Sequence, residues 1–161
     1  FTSKYPFRFK VSGRTKHFMN TFGEEVIIDN AENALAYACQ FTGAQIEEYT
    51  AAPVFLTNEK SGRHEWLIEF NKEPDNIDAF AEALDHRLRQ INSDYEAKRK
   101  GNMAVEFPII RKMEQGTFYA WLKQKGKLGG QNKVPRLSND RKFIEEILFS
   151  NLGMRLEMKE Q

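Results

Sequence analysis

At 161 residues the chain has the length of one domain, and thirteen Phe and two Trp within a 40% hydrophobic composition are enough to build its core. Net charge is +1, 29% of residues are charged and mean hydropathy is −0.64, values that exclude a bundle of membrane-spanning helices. The single cysteine, Cys39, excludes an internal disulfide, and His17, His64 and His86 are too scattered for a zinc site, so no metal is expected.

Cys39 lies in an apolar helical pattern and reads as a small core residue; the cysteine usage fits a reducing, cytoplasmic setting. There is no signal-peptide pattern, and a first residue of Phe1 rather than Met reads as a piece excised from a longer chain.

Residues 7–13 alternate apolar and basic side chains at strand period, residues 15–20 continue in extended style, and Gly23 punctuates them. Residues 1–28 therefore read as a hinge segment and β-ribbon, and residues 29–161 as the remainder of the same domain. Asp29 or Asn30 is placed to cap a helix on which Ala34, Leu35, Ala38, Cys39 and Thr42 share a face, with Gly43 ending it. Residues 46–56 and 63–70 are two strands joined by a polar turn over 57–62, and Pro53 marks an edge or a bulge.

Ile77, Phe80, Leu84, Leu88 and Ile91 repeat at helical spacing, and residues 93–100 form a short polar helix. The apolar run 105–110 predicts a third strand. Thr117 caps a helix through Gln124 whose apolar face carries Phe118, Trp121 and Leu122. Residues 126–132 are a Gly-rich loop, and Ser138 caps a last helix over 139–148 with Phe143, Ile144 and Ile147 inward. The tail after Asn151 has no clear pattern. The sum is an α+β domain: a small mixed sheet of about three strands with flanking helices, plus an N-terminal β-ribbon.

Two constellations carry chemistry. In the first, Gly13 permits a tight strand exit, Arg14 and Lys16 project to one face of an extended segment, and Gly23 lets the backbone turn sharply. The bland reading is an exposed hairpin charged for solubility. In the second, Gly126, Gly129 and Gly130 lead to Lys133 just before Val134-Pro135-Arg136. Gly-rich backbone exposes N–H groups to phosphate and a lysine adds a compact charge, although the spacing is not that of a P-loop. Here the bland reading is a mobile surface loop. Residues 111–142 carry nine Lys or Arg opposed only by Glu114 and Asp140, a block suited to a phosphate-bearing ligand or to a solvated surface.

Gly13-Arg14-Thr15-Lys16 followed by Gly23-Glu24-Glu25-Val26 resembles the hinge motif that opens the C-terminal domain of acyl-adenylating enzymes. Together with Trp66-Leu67-Ile68-Glu69-Phe70, residues 92–99, Gly116-Thr117-Phe118 and residues 133–141, it resembles the bacterial branch of the Gretchen Hagen 3 family over roughly residues 7–148. Plant members are similar mainly at the Gly-Thr-Phe and Lys-Val-Pro-Arg motifs.

The resemblance implies the C-terminal domain of a two-step ligase. A carboxylic acid attacks ATP to give an acyl-adenylate and pyrophosphate, and an amino acid amine then displaces AMP. Lys133 takes the place of the family's catalytic lysine, and Lys16 that of the hinge, with Arg14 and Gly23 near the nucleotide. Gly129, Gly130 and Arg136 belong to a phosphate loop around Lys133. Mg²⁺ is implied beside the ATP phosphates, bound outside this domain. The implied partners are a large N-terminal domain of the same polypeptide, ATP, a carboxylic acid and an amine, with a thiol acceptor left open. The family's ribose-binding Asp motif and acid pocket are absent, so the chain alone is expected to be inactive.

Two other readings stay open: a non-catalytic interaction domain derived from such an enzyme, and a nucleic-acid-binding module using the basic block with Phe118, Tyr119 and Trp121 as stacking groups. Those aromatics sit at helical spacing, which predicts core, and the acidic remainder of the chain repels a long polyanion. Neither nucleic acid nor membrane is therefore expected as a partner.

Overall fold

Residues 62–72 carry apolar side chains at both parities of the strand period, so the strand they form must be covered on both faces. In the computed structural model, which describes residues 3–4, 7–8, 17–56, 61–102, 104–129 and 133–161, that strand is the middle of a three-layer domain. Two short antiparallel ribbons come first: β1 (Ser3–Lys4) with β2 (Phe7–Arg8), and β3 (Phe18–Met19) with β4 (Val26–Ile27). Helix α1 (Ile28–Thr42) follows, then β5 (Gln45–Phe55) and β6 (Gly62–Lys72), helices α2 (Ile77–Ile91) and α3 (Ser93–Arg99), strand β7 (Ile109–Met113), and helices α4 (Thr117–Gln124) and α5 (Lys142–Glu160). The sheet runs β5-β6-β7, antiparallel across the first pair and parallel across the second. The α+β class, the three-stranded mixed sheet and the ribbon are as the sequence predicts.

Alternation along β6 divides two cores. Trp66, Ile68 and Phe70, with Tyr49 of β5, pack on Leu35 and Ala38 of α1 and on Phe80, Leu84 and Leu88 of α2. Leu67, with Ala52 and Met113, packs on Phe118 and Trp121 of α4 and on Ile144 and Ile147 of α5. The helices thus sit on both faces of the sheet, where their apolar stripes are removed from water.

Several boundaries move for identifiable reasons. The third strand begins at Ile109, not 105: Val105 makes one bridge to Gly62, and Pro108, which has no N–H, interrupts the run before the ladder resumes. Helix α1 begins at Ile28, and Asn30 acts from inside its first turn by accepting the Ile27 N–H at 3.2 Å. Thr117 does not cap α4; Gly116 holds that position at φ +86°, and the Thr117 hydroxyl donates to the Glu114 carbonyl at 2.7 Å. Ser138 does not cap the last helix either, because its N–H bonds to the Ala51 carbonyl at 3.1 Å and the helix starts at Lys142. The tail continues that helix to Glu160 with polarity reversed: Ser150 and Asn151 are buried while Phe149, Leu152 and Leu156 are exposed. Asn151 is inward because its Oδ1 accepts the Glu114 N–H at 2.8 Å.

Buried polar groups fasten the ribbon to the sheet. Gly23 is at φ +85° and Glu25 at +42°, and between them Glu24 turns fully inward to meet His64 Nε2 of β6 at 2.9 Å. Glu24 also accepts the Phe22 N–H at 2.7 Å. Burial pushes the Glu24 carboxyl up, but the bond to His64, its charge and the backbone donors outweigh this and hold it below the ordinary 4.5. Nearby, Asp85 is enclosed by the Tyr95 hydroxyl at 2.7 Å and by Arg99 Nε and Nη2 at 2.6 and 2.9 Å.

Removing one partner of a buried pair strands the other, so Glu24→Ala is expected to destabilise the domain by about 3–5 kcal/mol in urea titration at neutral pH. Because the folded-state value of Glu24 is depressed, its contribution is present above 4.5 and fades as pH falls through the lower folded value. Glu24→Gln should therefore flatten the acid limb of stability against pH; an unchanged acid limb would show that the pair contributes nothing.

Candidate functional site

The outer edge of β5 would expose unpaired N–H and C=O groups, and the Lys133-Val134-Pro135-Arg136-Leu137-Ser138 segment meets that need. The Ala51 N–H donates to the Arg136 carbonyl at 2.9 Å, the Ser138 N–H donates to the Ala51 carbonyl, and Leu137 forms a parallel bridge to Ala51. The Thr50 hydroxyl donates to the Pro135 carbonyl at 2.6 Å. Val134 and Leu137 are both buried. The Arg136 guanidinium stacks 4.7 Å from the Tyr49 ring centre and pairs with Glu48, while the Tyr49 hydroxyl donates to Glu32 at 2.7 Å. Burial and the Glu32 carboxylate both push the Tyr49 phenol upward, so it remains a donor at neutral pH.

Lys133 stands immediately before this pinned segment. Its side chain is exposed and has no ion pair among the described residues. Gly126 and Gly129, upstream, adopt φ +66° and +84° with open space where a Cβ would lie. Gly130 lies outside the described residues, as do Arg14 and Lys16. Gly23 is described: a Cβ there would stand 3.0 Å from Lys98 Cε, so both its φ and its close neighbour suit glycine.

Asn139, in the motif of residues 133–141, ties its segment to the β3–β4 ribbon. Its Oδ1 accepts the Asn20 N–H at 2.8 Å and the Thr21 hydroxyl at 3.1 Å, and its Nδ2 donates to the Phe18 carbonyl at 3.0 Å. One amide therefore joins the β3–β4 ribbon to the segment that begins with Lys133. Sequence reasoning placed Asn139 inside a helix and missed this role; the available signal was its place in the motif of residues 133–141.

The basic block is partly neutralised among the described residues. Arg111, Lys112, Lys125, Arg136 and Arg141 pair with Glu65, Glu73, Glu146, Glu48 and Glu65 in turn. Burial pushes the Glu65 carboxyl up, but the Arg111 and Arg141 donors carry it below the usual carboxylate range. Glu69, buried on the same face of β6, accepts the Gly116 N–H at 2.7 Å and so satisfies the start of α4. Phe118 and Trp121 lie in the core, which removes two of the three stacking groups a nucleic-acid reading requires, while Tyr119 is exposed. Among the described residues no three His, Cys, Asp or Glu side chains come together as a metal site, and no helix is long and apolar enough to cross a membrane.

The GH3 family C-terminal domain model matches residues 29–142, more than half of the chain, and the chain belongs to this family, the Gretchen Hagen 3 family of the resemblance above. Among solved structures, it is similar to a GH3.15 acyl acid amido synthetase, with a TM-score of 0.69 and 18% identity. It is likewise similar to AtGH3.15 acyl acid amido synthetase in complex with 2,4-DB, with a TM-score of 0.67 and 15% identity. Each match covers 86% of this chain and 26% of the other, so the likeness is one of fold to part of a longer protein. No curated protein sequence matches the chain.

Asn139→Ala is expected to cost about 1–2 kcal/mol, because it removes three hydrogen bonds at an exposed site. Amide exchange should rise selectively at Asn20, with protection of Leu67 in the central strand unchanged. Equal loosening of both would show that Asn139 supports the whole fold rather than the ribbon.

Proposed function

We propose that the chain is the C-terminal domain of an ATP-dependent ligase that adenylates a carboxylic acid and transfers the acyl group to an amino acid amine, working in the cytoplasm with a large N-terminal domain of the same polypeptide. The observation that carries this reading is Lys133: exposed and without an ion pair among the described residues, it stands at one end of a segment pinned to the sheet in a chain of the GH3 family.

In the first step the acid's carboxylate oxygen bonds to the α-phosphorus of ATP, and pyrophosphate leaves with the electrons of the broken P–O bond. Negative charge grows on the phosphate oxygens, and the Lys133 ammonium offsets it from the end of a segment whose Pro135 and Arg136 carbonyls are anchored by Thr50 and Ala51. Gly129, Gly130 and Arg136 complete the proposed phosphate loop, with Arg136 itself held by Glu48 and the Tyr49 ring. In the second step the amine attacks the acyl carbon and AMP departs, giving the amide after loss of a proton. Mg²⁺ is proposed to sit beside the phosphates, held outside this domain.

The hinge assigned to Lys16, with Arg14 beside it and Gly23 at the end of its motif, would carry the domain between the two steps. The Glu24–His64 pair and the Asn139 contacts support this reading, because they make the β3–β4 ribbon one body with the sheet and leave rotation to the residues before it.

In the polypeptide that joins this chain to its N-terminal domain, Lys133→Ala is expected to slow ATP–pyrophosphate exchange by about 10²–10³, equivalent to about 2.7–4 kcal/mol. Amide formation from preformed adenylate should change little; equal slowing of both would remove Lys133 from adenylation. Lys16→Pro is expected to leave one half-reaction intact and arrest the other, whereas two intact half-reactions would place the pivot elsewhere.

A further inference from the structure

We propose that the cleft between β7 and the C-terminal half of α5 is a second binding site, for a small amphipathic anion with a phosphate or carboxylate head and a short apolar tail. The cleft encloses about 640 Å³, within the range that holds small molecules. Arg111, Lys112, Arg141 and Arg155 line it against one carboxylate, Glu65. Lys133 is not among its walls; its segment runs along β5, at the opposite edge of the sheet from β7.

The head is assigned from unspent donors. Glu65 has a side chain only 3% exposed and holds Arg111 through Nε alone, leaving both Arg111 Nη groups without a partner among the described residues. Among the described residues Arg155 pairs with Glu114 alone, through Nε at a long 3.5 Å, which leaves both Nη groups without a partner there. These two side chains are 51% and 60% exposed. Arg141, by contrast, is committed to the Pro53 carbonyl, Glu65 and Glu145. Two planar forks open to one cleft suit bidentate recognition of a phosphate or carboxylate, and the buried Glu65 fixes the direction of the first.

The tail is assigned from apolar residues on the same two walls. Ile109, Leu148 and Leu152 line the same cleft, and Leu152 is 54% exposed on a helix whose polar Ser150 and Asn151 are buried. An apolar tail beside the arginine forks would cover it.

The site is tested by following backbone amide shifts of the 161-residue chain during titration with hexyl phosphate and, separately, inorganic phosphate. Saturable shifts at Arg111 and Leu152 are expected, with hexyl phosphate binding at least tenfold more tightly. Arg155→Gln, at an exposed position that leaves the Glu65 pair intact, should weaken hexyl phosphate at least fivefold, and Leu152→Gln should remove the preference for the alkyl ester. Co-sedimentation with phosphatidic acid vesicles, lost in Arg155→Gln, would assign the head to a membrane lipid; hexyl phosphate binding without co-sedimentation would assign it to a free metabolite. Absence of saturation, or shifts centred on Lys123 and Lys127 that Arg155→Gln leaves unchanged, would overturn the site.

Discussion

An edge strand cannot leave its backbone groups unpaired beside a core, and on β5 this constraint is met by the chain's own residues 136–138. The two hydrogen bonds at Ala51 and the Thr50 bond to Pro135 hold a segment that has no regular structure of its own. Because Val134 and Leu137 are buried as part of the same docking, Lys133 stands next to a fixed point of the chain while its own side chain is exposed. Lys133 stands at the start of the segment that this sheet edge holds.

Buried carboxylates give the domain its second level of organisation. Glu65 and Glu69 lie two residues either side of Leu67 on the face of β6 toward α4 and α5. One gathers Arg111 and Arg141, and the other accepts the first N–H groups of α4. Glu24 crosses from the ribbon to His64 on the same strand. Each is an expensive group to bury, and each is satisfied by donors from a different part of the chain. Tertiary arrangement is thereby specified at points where apolar packing alone would tolerate sliding.

Much of this architecture is legible in the sequence because the large apolar residues of β6 and α2 follow their periods: alternation gives two cores, and the spacing from Ile77 to Ile91 gives the covering helix. The same reasoning fails where a long-range backbone bond overrides a local signal. Ser138 has the chemistry of a helix cap, yet its N–H is taken by Ala51, 87 residues away, so α5 starts later. The tail from Asn151 is illegible because Asn151 is buried while the apolar Leu152, Leu156 and Met158 are exposed along with its charged residues. At the candidate site, motif and resemblance offer Lys133 and Gly23 as candidates, whereas Asn139 and Glu65 act through partners that no local window contains.

The most direct test of this account is native-state amide exchange at Ser138 and Ala51. If residues 136–138 form an added edge of the sheet, both amides should be protected to nearly the same free energy as Leu67 and should open with it. If Ser138 and Ala51 instead exchange at rates close to those of an unstructured chain while Leu67 stays protected, the segment is not anchored, and the structural basis for the placement of Lys133 fails.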